Sequence, residues 1–138
     1  MPDIIRITIK STSRTCRDRL TLRPDRILYT CRPTAENGDC TVRIWTYTSS
    51  APAFRRLFRE AAAAVLGILE RDDLPYLTGP GVISLRIDFA DRTRLKWNYA
   101  PSCVSFRECF DAVKRMIPPC EEEPAVFSLA DTEGGAAP

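Results

Sequence analysis

The sequence predicts an α+β fold: an antiparallel, meandering sheet of about six strands with two helices on one face, in the order ββββαββα, and a flexible acidic C-terminal tail. Three observations lead there. Apolar residues alternate with polar ones in six short runs, they recur with a helical period in two longer runs, and turn-forming residues separate the strand runs without room for long crossovers.

Ile5, Ile7 and Ile9 alternate with Arg6 and Thr8, as in a half-buried strand, and Leu20 with Leu22 opens a second run; residues 10–19 read as the loop between them. Arg23-Pro24-Asp25-Arg26 reads as a turn, because proline presets φ and aspartate bonds the backbone beyond it. Residues 27–32 follow as the third strand. Beyond Asn37-Gly38, Cys40, Val42 and Ile44 alternate with Thr41, Arg43, Trp45 and Tyr47 as the fourth. Pairing residue 31 with residue 40 puts Cys31, Tyr29, Ile27, Cys40, Val42 and Ile44 on one apolar face.

From Ser50 the period lengthens. Phe54, Leu57, Phe58, Ala61, Val65, Ile68 and Leu69 line one side of a helix placed at about residues 51–71, with Ser50 as N-cap and Pro52 in the first turn. After Gly79-Pro80-Gly81, Ile83, Leu85, Ile87 and Phe89 form a fifth strand, a turn follows at Ala90-Asp91-Arg92, and Leu95, Trp97 and Tyr99 form a sixth. Ser105-Phe106-Arg107-Glu108 has capping-box spacing, with Val104 and Cys109 placed as a hydrophobic staple. A second helix then buries Phe106, Cys109, Phe110, Val113, Met116 and Ile117. The reading is one domain over residues 1–118 and a tail over 119–138, in which residues 125–129 form a short apolar patch whose docking the sequence does not decide.

A 138-residue chain with 44% hydrophobic and 28% charged residues holds enough apolar material for one core. No run approaches the length needed to span a bilayer, and residues 1–7 lack the features of a secretory signal, so the expectation is a cytoplasmic protein without a membrane partner. Reduced thiols are then expected for the six cysteines, with Cys31 and Cys40 the pair best placed for a disulfide under oxidising conditions. The net charge of +2 conceals a division. All 20 basic residues lie before residue 117, giving residues 1–120 a net of +7, whereas Glu121, Glu122, Glu123, Asp131 and Glu133 make the tail acidic.

There is no histidine, which removes the commonest general base, nucleophile partner and metal ligand. No Walker loop, dinucleotide-binding glycine pattern or nucleophile elbow is present. The cysteines lack the paired spacing of a zinc site, and Asp88 with Asp91 at a hairpin tip is too small a cluster for a hard cation. No catalytic, metal or cofactor site is therefore expected, and the chain reads as a non-enzyme.

One constellation stands out. The sheet face away from the helices is expected to carry Arg6, Arg32, Arg43, Trp45, Tyr47, Arg86, Arg94 and Lys96, a mixture of guanidinium and aromatic groups. Such residues dominate protein-binding hot spots, so the first expectation is a protein-interaction or regulatory module with another protein as partner. The alternative is single-stranded nucleic acid, with arginine on phosphates and rings on bases. A third reading is a small-ligand protein or histidine-independent enzyme. A polar solvent face with strand-favouring aromatics also has a purely structural explanation. Homodimerisation through an uncovered edge strand is left open.

Overall fold

In a computed structural model the described residues are 2–13, 16–34, 41–71, 73–76, 81–100, 106–119 and 124–127. They form the predicted α+β architecture. The elements are β1 (Ile4–Thr12), β2 (Cys16–Arg23), β3 (Arg26–Pro33), β4 (Arg43–Thr48), α1 (Pro52–Leu69), β5 (Ile83–Phe89), β6 (Arg94–Tyr99) and α2 (Arg107–Lys114).

The six strands make one sheet in the order β4-β3-β2-β1-β5-β6, with every neighbouring pair antiparallel. It consists of two meanders. The first runs outward from β1 to β4; α1 then carries the chain back so that β5 pairs with the other side of β1, and β6 returns along β5.

One face of the sheet is apolar because alternation runs in phase across the paired strands. Ile7 and Ile9 of β1 sit opposite Leu22 and Leu20 of β2 and opposite Ile87 and Leu85 of β5, and all six are fully buried. Helix α1 lays Phe54, Phe58, Ala61, Val65 and Ile68 on this face, and α2 packs along α1 with Cys109, Phe110 and Val113 turned inward. Phe106 stacks on Phe110 at 5.1 Å and meets Tyr99 edge-on at 6.0 Å, which ties α2 to β6.

The structure corrects several local expectations. Residues 10–19 are largely strand: β1 continues to Thr12 and β2 begins at Cys16, with Lys10 paired to Arg19 and Ser11 to Asp18. Helix α1 has Ala51, not Ser50, at its N-cap position, without a side-chain cap; Ser49 Oγ instead accepts a bond from the Ala51 N–H at 3.2 Å. The proposed cap and staple residues of α2, Ser105 and Val104, and the disulfide candidate Cys40 lie outside the described residues.

The core also reaches past residue 118. Val126 is fully buried and Phe127 is 4% exposed, with the Phe127 ring 5.4 Å from Phe110. This segment docks through polar bonds as well: the Val126 N–H donates to Asp18 Oδ2 at 2.9 Å and the Ala125 N–H to the Tyr29 hydroxyl at 3.1 Å. Part of the apolar patch in the acidic C-terminal region is thus integral to the fold.

Candidate functional site: the open face of the sheet

Strand alternation sends the remaining side chains to the face opposite α1 and α2. By register that face holds Arg6 and Lys10 of β1, Arg17, Arg19 and Arg23 of β2, Arg26 and Arg32 of β3, Arg86 of β5, and Arg94 and Lys96 of β6. Asp88 is the one acid among the strand residues that share it. Hydroxyls of Thr8, Thr12, Thr21, Thr30, Thr46 and Thr48 lie between the cations. A shallow concavity of about 690 Å³ spans β1 to β4 on this side, with Arg6, Lys10, Arg17, Arg19, Arg23, Arg26 and Arg32 along it.

Five of the eight residues expected on this face are there: Arg6, Arg32, Arg86, Arg94 and Lys96. The other three, Arg43, Trp45 and Tyr47, are on the helix side. The cause is the β4 register. Cys31 pairs with Arg43, Tyr29 with Trp45 and Ile27 with Tyr47, three residues away from the anticipated pairing of 31 with 40. An odd slip exchanges the two faces of a strand.

Both faces of this stretch are apolar, so alternation does not choose between them. Trp45 packs 5.6 Å from Tyr29, and Tyr47 lies 5.7 Å from Phe54 of α1. Turning the larger rings toward the helices removes more apolar area from water than turning Ile44 and Val42 inward, which are instead 63% and 44% exposed.

Lys10, Arg17, Arg19, Arg23 and Arg26 were not expected on this face. The signal was present, since Arg17, Arg19 and Arg23 alternate with Asp18, Leu20 and Leu22. Assigning residues 10–19 to a loop conceals it.

The electrostatics are those of crowded cations. Burial pushes the Lys10 ammonium below its usual pKa, and the neighbouring charges of Arg19, Lys96 and Arg86 push it further down. Asp88, 6% exposed, accepts bonds from Arg6 Nε and Arg86 Nε, each at 3.0 Å, with Arg94 Nε at 3.7 Å. Burial alone would raise its pKa, but the arginine bonds and charges outweigh that and hold it below the ordinary value. One carboxylate therefore serves three guanidinium groups, and the cluster keeps a surplus of positive charge.

On the helix side the chemistry is different. Asp18, 3% exposed, accepts bonds from Ser11 Oγ, from the Tyr29 hydroxyl at 3.2 Å and from the Val126 N–H. Burial raises its pKa against the lowering effect of those bonds. Burial likewise lifts the Cys31 thiol to about 11 and the Cys109 thiol to about 12, so both are protonated at neutral pH. Among the described residues no group of three or more His, Cys, Asp or Glu side chains converges, and no helix is long and apolar enough to cross a membrane. Asp91, the other member of the hairpin pair, bonds Thr93 and not a shared site with Asp88.

Fold and face together define a two-layer α+β protein with an arginine-rich sheet surface opposite its two described helices. No protein-family model matches the chain, and a search of curated proteins found no significant match.

Proposed function

We propose that the protein is a non-enzymatic module that binds nucleic acid through its phosphate backbone, using the open face of the sheet. The observation that supports this reading is the ten basic side chains of that face set against Asp88, the one acid among the strand residues that share it. Arginine predominates, and its planar fork suits phosphate oxygens, while the interleaved threonine hydroxyls supply further donors. With Trp45 and Tyr47 on the helix side, the face offers, among the described strand residues, no ring on which an unpaired base could stack. Recognition would then be electrostatic and indifferent to sequence, and would favour duplex over single strand because a duplex carries twice the charge per unit length.

Fluorescence anisotropy with labelled duplex and single-stranded DNA of one sequence, across a range of salt, tests the idea. With six or more phosphates engaged, affinity should fall roughly a thousandfold between 50 and 200 mM salt. Absence of binding at low salt would end the proposal. A protein partner is the second reading, favoured by Leu28 and Ile44, which leave apolar surface exposed at the β3–β4 end of the same face. Capture of a partner that survives high salt would support it instead.

A further inference from the structure

Near the middle of the open face, the hydroxyl of Thr8 is buried and unsatisfied. Thr8 is 1% exposed and its Oγ1 makes no hydrogen bond among the described residues. Such groups are uncommon in folded proteins, because a buried hydroxyl without a partner forfeits its bonds to water.

The surroundings are informative. Thr8 pairs with Thr21 on one side and Arg86 on the other; Arg6 and Lys10 are its same-face neighbours along β1, and Lys96 is the partner of Arg86 on β6. Arg6 and Arg86 both reach Asp88 through Nε, and among the described residues neither guanidinium makes another hydrogen bond. Asp88 therefore fixes the two arginines side by side while their terminal nitrogens keep donors to spare. Lys10 completes the ring from the other end, close enough to Arg86, Lys96 and Arg19 to feel their charge.

We infer that Arg6, Lys10, Arg86 and Lys96, gathered around the Thr8 hydroxyl, form a discrete binding site for one phosphate group. These four cations against the one carboxylate, which Arg94 also approaches at 3.7 Å, leave a local charge of at least +3, which matches a doubly charged phosphate better than the singly charged diesters of an internal backbone. A tetrahedral oxyanion would take donors from both arginine forks and from Lys10; the Thr8 hydroxyl, covered in the free protein, would meet it once those long side chains re-orient around the anion. This anchor deepens the nucleic-acid reading, since it rests on the same face and would prefer a terminal phosphate. It also makes a claim that stands without nucleic acid: the site should bind the free anion.

The test is a two-dimensional NMR titration of the full chain with inorganic phosphate at pH 7.5, against sodium chloride at equal ionic strength. Saturable shifts centred on Thr8, Lys10 and Arg86, absent with chloride, are expected, together with a fall in phosphate affinity of at least fivefold in Lys10→Gln and a smaller one in Thr8→Val. Both variants keep the strand alternation, and their spectra report folding directly. Identical responses to phosphate and chloride, or shifts spread evenly over all arginines, would overturn the site.

Duplex DNA with and without a 5′-phosphate forms the second arm. Tighter binding of the phosphorylated duplex, lost in Lys10→Gln, extends the site to nucleic-acid ends. Phosphate binding without any DNA binding keeps the site and removes the nucleic-acid reading. DNA binding without a phosphate-specific response removes the site and keeps that reading.

Discussion

Arg6 and Arg86, on neighbouring strands, direct their Nε atoms to the same oxygen of Asp88, each at 3.0 Å. Their mutual repulsion is offset by that carboxylate. Replacing it with an amide removes the charge and weakens both bonds, so Asp88→Asn should cost about 1–2 kcal/mol, the lower part of the range for charged hydrogen bonds because the arginines are partly solvated. Urea denaturation reads this directly. The same variant should bind duplex DNA more tightly at low salt, because the face gains positive charge. Lower stability with weaker binding would show that Asp88 shapes the face rather than restraining its charge.

The pH dependence of Asp88 follows from its lowered pKa. The folded protein favours the ionised form, so the stabilising contribution is complete above the ordinary value of 3.8 and is lost as pH falls through the lower folded value. Asp18 behaves in the opposite sense. Its pKa is raised, so ionisation costs stability: its contribution is complete below 3.8 and declines as pH rises through the folded value. Denaturation of the parent protein and of Asp18→Asn between pH 3 and 7 should give a difference that moves against the parent as pH rises above 3.8 and then levels off. A difference that moves the other way would mean that the bonds from Ser11, Tyr29 and Val126 outweigh burial.

The β4 register has a direct test. Ile44 is 63% exposed on the open face, and Ile44→Lys should change stability by no more than about 0.5 kcal/mol. Trp45 packs on Tyr29 and the core, and Trp45→Ala should cost about 2–3 kcal/mol, somewhat less than for a fully buried ring. Thermal melts of the two variants would exchange their ranks if Ile44 faced the helices.

Arg17, Arg19 and Arg32 lie within the concavity, away from Asp88. Converting all three to glutamine should reduce the magnitude of the logarithmic salt slope for duplex DNA by about 2–3, because each phosphate no longer neutralised by the protein lowers it by roughly 0.9. The matching replacements of Arg55, Arg56 and Arg59 on α1 should leave the slope unchanged. Equal effects from both sets would mean that overall charge, not this face, governs binding.

Phe127→Ala tests the docked C-terminal segment. The ring is buried against Phe110 and beside the Lys114 ammonium, 5.2 Å from its centre, so truncation should cost about 3 kcal/mol and speed hydrogen exchange at the Val126 amide. An unchanged melting temperature would mean the segment is dispensable.

Much of this fold was legible because alternation and helical periodicity are strong where one face is polar. β5 is the clear case: Ile83, Leu85, Ile87 and Phe89 face the core and the strand has the anticipated boundaries. Legibility failed where both faces of a stretch carry large apolar groups, as in β4, since packing against α1 decides the phase and no local pattern encodes it. It failed again at residues 10–19, where Lys10 and Ser11 at the end of one strand and Arg17 to Arg19 at the start of the next look like a polar loop until each is paired across the hairpin. The candidate site inherited both errors. Its arginines on β1, β5 and β6 were readable from alternation, whereas the β2 arginines and the helix-side position of the rings depend on partners distant in sequence.

The return of β5 to the free side of β1 bears on how the chain is made. Ile7 acquires Leu22 as a neighbour soon after it leaves the ribosome, but its other neighbour, Ile87, emerges only after β2, β3, β4 and α1 have all been synthesised. During that interval the nascent chain presents the unpaired amides of β1 and a half-covered row of isoleucines and leucines. Completion of the sheet thus waits on residues 83–89, and slow codons or pauses ahead of their emergence would lengthen the period in which that row and those amides stay uncovered.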